Sequence, residues 1–515
     1  MKNIATLLVA ILFTAGMSFA QNNDASVSQD GSNNTAEATQ QGLENQADIQ
    51  QGFDGQGQSN ASALIQQVGD FNNALILQRA WGADDNNHTI SQEGEDNRAR
   101  IRVFNGNNFG TISQSGDDND AHIVQSAGGH YATHSQEGSD NIIYSRQSTG
   151  SNWLSVEQDG DFNTAGVRQL GGTDNTATID QSGNNNVAGD GSSSGPFGIY
   201  QEGFSNAASI LQSGNDSHTQ EQVGDGNSAQ VRSFAGANVG LQVQTGDNNV
   251  SQLNQSGGFV AETHQTGDGN NARVRQAGGN GSEAFVYQAG DNNTVGADQQ
   301  GSDNMLTVTQ TGTGNEAGSN WWNDRGILQD GTGNTSSLEQ DGDYNSASIA
   351  QVGNNHSVSI LQRGDENATT VSQAGGTGSS YTERTYGSEN EVTASQTHYD
   401  QLRLWIYGDG NVVDSDQART NFSSIRIAGD LNTFDLTQVR SGRLGADING
   451  SSNLVTVDQS SHGNMVVQEG SGWWERDGIL ISGDANTVDI TQMSSENRAT
   501  VDIAGNGNVS TIMQN

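Results

Sequence analysis

The sequence predicts an all-β fold: a parallel two-sheet β-solenoid with amyloid-like stacking, about 22 residues and two strands per turn. Three observations predict it. Between Ile90 and Gln169, small, apolar and amide residues recur at every second position, the period of a strand with one face inward. That pattern returns every eleven residues. The turn sequence Gln-x-Gly-x-x-Asn opens at Gln92, Gln114, Gln136 and Gln158, each 22 from the last, while Gln125, Gln147 and Gln169 between them precede other turn sequences. One repeat is therefore strand, turn, strand, turn, and stacking such repeats gives two sheets.

The columns supply the physical cause. Asn97, Asn108, Asn119, Asn141, Asn152 and Asn163 fall in one column, with His130 filling the gap. Two residues on come Ala99, Gly110, Ala121, Ala132, Ile143, Leu154 and Ala165; then Ile101, Ile112, Ile123, His134, Ser145, Val156 and Val167; then Val103 and Gln114, Gln125, Gln136, Gln147, Gln158, Gln169. Like residues stacked about 4.8 Å apart pair their backbones, and Asn and Gln add side-chain amide bonds along the same axis. A one-residue slip would turn the inward set outward, so register is well specified.

Composition sets the limits. Hydrophobic residues make up 31% of 515, too few for a deep globular core, and there is no Cys and one Pro. Such a composition usually means disorder. The strict period argues instead that stacked Gln and Asn replace apolar core. Lys2 is the only lysine, so from residue 21 on there are 19 Arg against 60 Asp and Glu, net −41. That charge opposes binding to nucleic acid and favours solubility before assembly.

Residues 1–20 read as a secretory signal peptide. Lys2 supplies the charged start, Ile4 to Phe13 the apolar region, and Ser18-Phe19-Ala20 the cleavage pattern, with the cut between Ala20 and Gln21. No other apolar run approaches the length of a transmembrane segment. Solenoid repeats then occupy 21–186, beginning at Val27-Ser28-Gln29-Asp30-Gly31. Arg79 to His88 reads as a first insertion holding Trp81. Residues 187–198 are rich in Gly and Ser and hold Pro196, which cannot donate to a ladder; they read as a protruding loop or as a linker between two coils.

Repeats resume over 199–515. From Ile406 on, Ile replaces the leading Gln at Ile406, Ile427, Ile448, Ile481 and Ile503, an apolar ladder that needs no partners. Two further insertions match each other, one holding Trp321 and Trp322, the other Trp473 and Trp474. They read as loops capping their own coil edge, or as a paired aromatic patch for a glycan or partner. From Gln29 to Gln514 roughly twenty or more turns and a rod about 100 Å long are expected.

The repeat resembles the curlin repeat of bacterial curli amyloid subunits: Ser, then Gln-x-Gly-x-x-Asn-x-Ala and a second Gln. Gln114-Ser-Gly-Asp-Asp-Asn119-Asp-Ala121-His-Ile-Val-Gln125 carries it, as do Gln67 to Gln78 and Gln158 to Gln169. Eighteen copies of Gln-x-Gly-x-x-Asn spread the resemblance over nearly the whole chain after residue 20. It implies a secreted, extracellular subunit of a pilus-like amyloid fibre at the cell surface, serving adhesion and biofilm matrix. It also implies self-association, a nucleator or second curlin-repeat subunit as partner, and export through an outer-membrane pore. This chain differs in having many more repeats than a typical subunit and no Gly-rich segment before the first.

The residues offer little for catalysis. There is no HExxH, no lysine for a P-loop, and His130 and His134 lie four apart on a strand, which is no shared metal face. No cofactor or metal is expected. Acidic turns such as Gly116-Asp117-Asp118-Asn119 carry carboxylates of the kind Ca²⁺ takes, yet Gly and Asn are also what tight turns require. The expected function is a structural, curli-like fibre protein. The alternative is a monomeric β-solenoid surface adhesin binding glycans or ions through its loops.

Overall fold

A computed structural model describes residues 22–52, 58–79, 85–189, 191, 197–318, 326–398, 400–418, 422–439, 442–461, 464–466 and 478–515. Every element among them is a β-strand. The fold is a parallel β-solenoid of roughly 22 residues per turn. It divides into two compact units, Met1–Gln255 and Ser256–Asn515.

In the first unit one sheet stacks strands Ser62–Val68, Asn87–Glu93, Phe109–Ser115, Tyr131–Glu137, Trp153–Asp159, Thr176–Ser182 and Ala207–Ser213, all parallel and in register. The other stacks Gln46–Gln51, Asn73–Gln78, Arg98–Val103, Asp120–Ser126, Ile142–Ser148 and Thr164–Leu170. Alternation decides what lies inside: Ala121, Ile123 and Gln125 are buried while His122 and Val124 face out. The core is therefore thin, and each rung supplies a small residue, a β-branched or leucyl residue and an amide.

The turn residues follow from the close stacking. Gly116 sits at φ 110, and a Cβ there would lie 2.1 Å from the carbonyl oxygen of Gly138. Only glycine permits both the conformation and the approach. Asp118, just before Asn119, takes the left-handed conformation at φ 57, which Asp and Asn tolerate best after glycine.

In the second unit the sheet through Thr335–Asp341, Ser357–Arg363, Ser380–Tyr386, Gln401–Tyr407, Phe422–Ala428 and Arg443–Asn449 carries the switch from amide to apolar ladder. Its innermost column runs Gln340, Gln362, Thr385, Ile406, Ile427, Ile448. Across the core, Gln373, Gln396, Gln417, Gln438, Gln459 and Gln492 stay amide. The change is thus confined to one of the two sheets.

The insertions share one placement. Ala165 pairs with Ala188 and Val167 with Ile199, so the chain leaves the rung after Ala188 and rejoins it at Ile199. Val295 pairs with Ala317 and Ala297 with Ile327; Leu444 pairs with Val466 and Ala446 with Ile479. In all three the rung before carries glycine opposite the break, at Gly166, Gly296 and Gly445. The insertion near residue 80 is shorter than the sequence suggests: Asn86 stands in the Asn column, and His88 is fully buried in the small-residue column. Trp81, Trp321, Trp322, Trp473, Trp474 and the cleavage site at Ala20 and Gln21 lie outside the described residues.

Candidate functional site

The chemistry of this protein lies in its repeated interior. In one sheet Gln92 donates to Gln114 at 2.8 Å, Gln114 to Gln136 at 2.8 Å and Gln136 to Gln158 at 3.0 Å, each Nε2 to the next Oε1. In the other, Gln125 donates to Gln147 at 3.1 Å and Gln147 to Gln169 at 2.9 Å. All seven are 0–2% exposed. The second proton of each amide bonds a backbone carbonyl across the core, as Gln114 Nε2 does at Arg98 and Asn119. Buried side-chain polarity is thereby satisfied, the condition under which an amide core is tolerated.

The asparagines do a different task. Asn97 Oδ1 accepts from both the backbone nitrogen and Nδ2 of Asn119, at 3.2 and 3.0 Å. Asn119 Nδ2 also donates to the Gly138 carbonyl at 2.8 Å, tying one turn to the next. Asn141 and Asn163 repeat this one and two turns on. Asn108 and Asn152 form the column of the other turn, and His130 stands between them as an Asn surrogate. Its backbone nitrogen donates to Asn108 Oδ1, its Nδ1 accepts from the Asn152 nitrogen, and its Nε2 bonds the Ser126 carbonyl.

Three positions escaped sequence reasoning. His356 acts as a second surrogate, accepting at Nδ1 from the Ser379 nitrogen at 3.3 Å. Asp216 is a third, its Oδ1 accepting from both nitrogens of Asn238. Glu383 is buried at the place of an aliphatic residue, with the hydroxyls of Tyr381, Thr369 and Thr385 donating to its carboxylate. The strand period marked Glu383 as inward, since Tyr381 and Thr385 flank it at spacing two; nothing in the sequence marked its partners.

The acidic turns are built into the ladder as well. Asp117 Oδ1 accepts from the Glu95 nitrogen at 2.9 Å, and Asp161, Asp225 and Asp343 do the same for Ser139, Phe204 and Thr313. Among the described residues no group of three or more His, Cys, Asp and Glu is placed to hold a metal ion. Among them, too, no helix is long and apolar enough to cross a membrane, which says nothing of a β-barrel.

Parallel rungs, internal amide ladders and turns capped by Asn and Asp define a β-solenoid of the repeat-stacking structural class. The family described as curlin associated repeat matches nine segments, at residues 20–52, 106–138, 116–144, 279–312, 301–342, 323–353, 331–364, 342–375 and 483–515. In these segments the chain carries curlin associated repeats. That family is structural rather than enzymatic, and its repeats and fold fit a curli-like fibre subunit. No curated protein matches the chain.

Proposed function

We propose that the chain is a secreted subunit that stacks end to end into extracellular amyloid fibres serving adhesion and biofilm matrix. One observation carries this reading: the outermost described rungs carry the same inward chemistry and pair on one side only. Strand Val509–Gln514 pairs with Thr487–Gln492, and its inward residues Ser510, Ile512 and Gln514 are only half-buried. Strand Thr35–Gln41 pairs with Ser62–Val68 and presents Ala36, Ala38 and Gln40. Both rungs read small, aliphatic or small, Gln. Placing Gln514 of one copy beneath Gln40 of the next would continue the amide column and satisfy the edge backbone groups. The signal-like residues 1–20, an outer-membrane export pore and a nucleating partner subunit belong to this proposal.

The test is thioflavin-T kinetics on purified residues 21–515, with fibre diffraction on the product. A lag, seeding by preformed fibres and a meridional spacing of about 4.7 Å support the subunit. A soluble chain with sheet-type circular dichroism and no growth overturns it and leaves a single-chain adhesin.

A further inference from the structure

In a chain of net charge −40, one face of the first unit gathers positive charge. Strand Arg98–Val103 turns Arg98, Arg100 and Arg102 outward. Two rungs on, Arg146 faces out, and Arg168 stands in register with it one rung further. These five border a cleft of about 580 Å³ or stand beside it; its lining includes Phe104, His122, Val124, Ile142 and Tyr144, with Asp120 the only carboxylate among the described lining residues. Gly191, from the insertion that leaves the rung at Ala188, closes one side against Ile142 and Thr164. Phe197 from the same insertion lies 5.3 Å from the Arg168 guanidinium.

The guanidiniums are underused. None of the five makes an ion pair or a side-chain hydrogen bond among the described residues, and the Nε atoms of Arg102, Arg146 and Arg168 are buried without a partner. Arg98, Arg100 and Arg102 repel one another along a single strand; partial burial and that repulsion lower the pKa of Arg100, against the attraction of Asp120, the single carboxylate beside three guanidiniums in this part of the cleft. Like charges so placed call for a counter-anion.

We infer that this cleft is a binding site for an acidic oligosaccharide, a sugar chain bearing carboxylate or sulfate groups. The spacing of charge argues for a chain rather than a lone anion: the Arg98–Arg102 row and Arg146 are two rungs apart, roughly 10 Å, the reach of anionic groups on neighbouring or alternate sugar rings. Phe104 and Ile142, both exposed, give an apolar surface against which a ring can lie, and Asp120 can bond sugar hydroxyls. The site lies on a sheet face whose backbone groups are paired to the rungs on both sides, so an acidic peptide finds no strand edge to extend. The proposal does not depend on polymerisation and assigns the contact to a sheet face.

The test is calorimetric titration of the full chain with tetragalacturonate, beside maltotetraose and inorganic sulfate, at low and at physiological salt. Binding of the uronate alone, weakened by salt and reduced at least tenfold in Arg102→Ser/Arg146→Ser, is expected. Arg363→Ser, in the other unit, should leave it unchanged. Because the double substitution changes two residues of one face, Arg146→Gln alone is the second variant and should weaken binding severalfold with an unaltered circular dichroism spectrum. No heat with the uronate, equal binding of maltotetraose, sulfate binding as tightly as the tetrasaccharide, or undiminished affinity in correctly folded variants overturns the proposal.

Discussion

His88 and Gly110 are paired on adjacent rungs, and the imidazole occupies the space a side chain at 110 would need. A Cβ on Gly110 would lie 2.7 Å from His88 Cδ2. His218 and Gly240 repeat the arrangement, with 2.2 Å from the would-be Cβ to Nδ1. A large residue in the small-residue column is thus accommodated by glycine on the next rung.

Gly110→Ala should therefore destabilise the chain by about 1–3 kcal/mol through overpacking. The same change made with His88→Ala should cost less than the sum of the two single changes, because they share one volume. Denaturant unfolding of the four proteins measures the cycle; additive costs would show that the two residues do not compete for space.

Acid should loosen the interior. Burial holds the pKa of His88 near 4 and those of His134 and His218 near 3, below the ordinary 6.5. The unfolded chain takes up these protons first, so the stability these groups contribute is full above pH 6.5 and falls as pH drops toward 4, by roughly 3 kcal/mol for His88. Glu383 has the opposite sign. Burial raises its pKa, so its contribution is full below the usual carboxylate value and is lost as pH rises through the folded value. His88→Gln should flatten the acid side of a stability-against-pH profile, and Glu383→Gln should raise stability at pH 7. A profile unchanged by both would place these groups in water.

The alternation of Ala121, Ile123 and Gln125 against the 22-residue return made the sheets and the register legible, because both follow from backbone geometry alone. The identity of ladder partners was legible for the same reason: a column in sequence becomes a column in space when every rung has the same length. What the sequence hid was compensation between rungs. His88 reads as part of an insertion because it breaks the small-residue column, and only its contact with Gly110 shows it belongs inside. The arginine cleft was hidden likewise, since Arg102, Arg146 and Arg168 are outward residues of separate rungs and gain meaning only when Val124 alone stands between the first two.

Gln136→Ala with Gln158→Ala should slow assembly and weaken the fold. Gln114 Nε2 would lose the acceptor it has at 2.8 Å, and Gln181 Oε1 the donor it has at 2.8 Å. Each buried amide left unpaired costs about 1–3 kcal/mol. Conversion of Ile427 to Ala in the other unit removes apolar volume without stranding a polar group, so it serves as the contrasting change. Thioflavin-T lag times and melting temperatures of both variants test this; unaltered kinetics in the double glutamine variant would count against amide ladders as the cohesive element.

The turn carboxylates should separate charge from hydrogen bonding. Asp117 accepts from the Glu95 nitrogen through one oxygen, and Asn184 Oδ1 does the same for the Asp161 nitrogen at 2.9 Å. An amide therefore fits the position. Asp117→Asn, Asp225→Asn and Asp343→Asn together should keep every turn bond while making the chain three charges less negative. Repulsion between approaching chains falls with net charge, so assembly at low salt should speed up with little change in melting temperature, and the difference should shrink at high salt. The matching alanine triple variant removes the same charge but also the acceptors, at about 1 kcal/mol per turn, and should melt lower. If the two triple variants melt alike, the carboxylates serve solubility alone and the turn bonds contribute nothing to the stack.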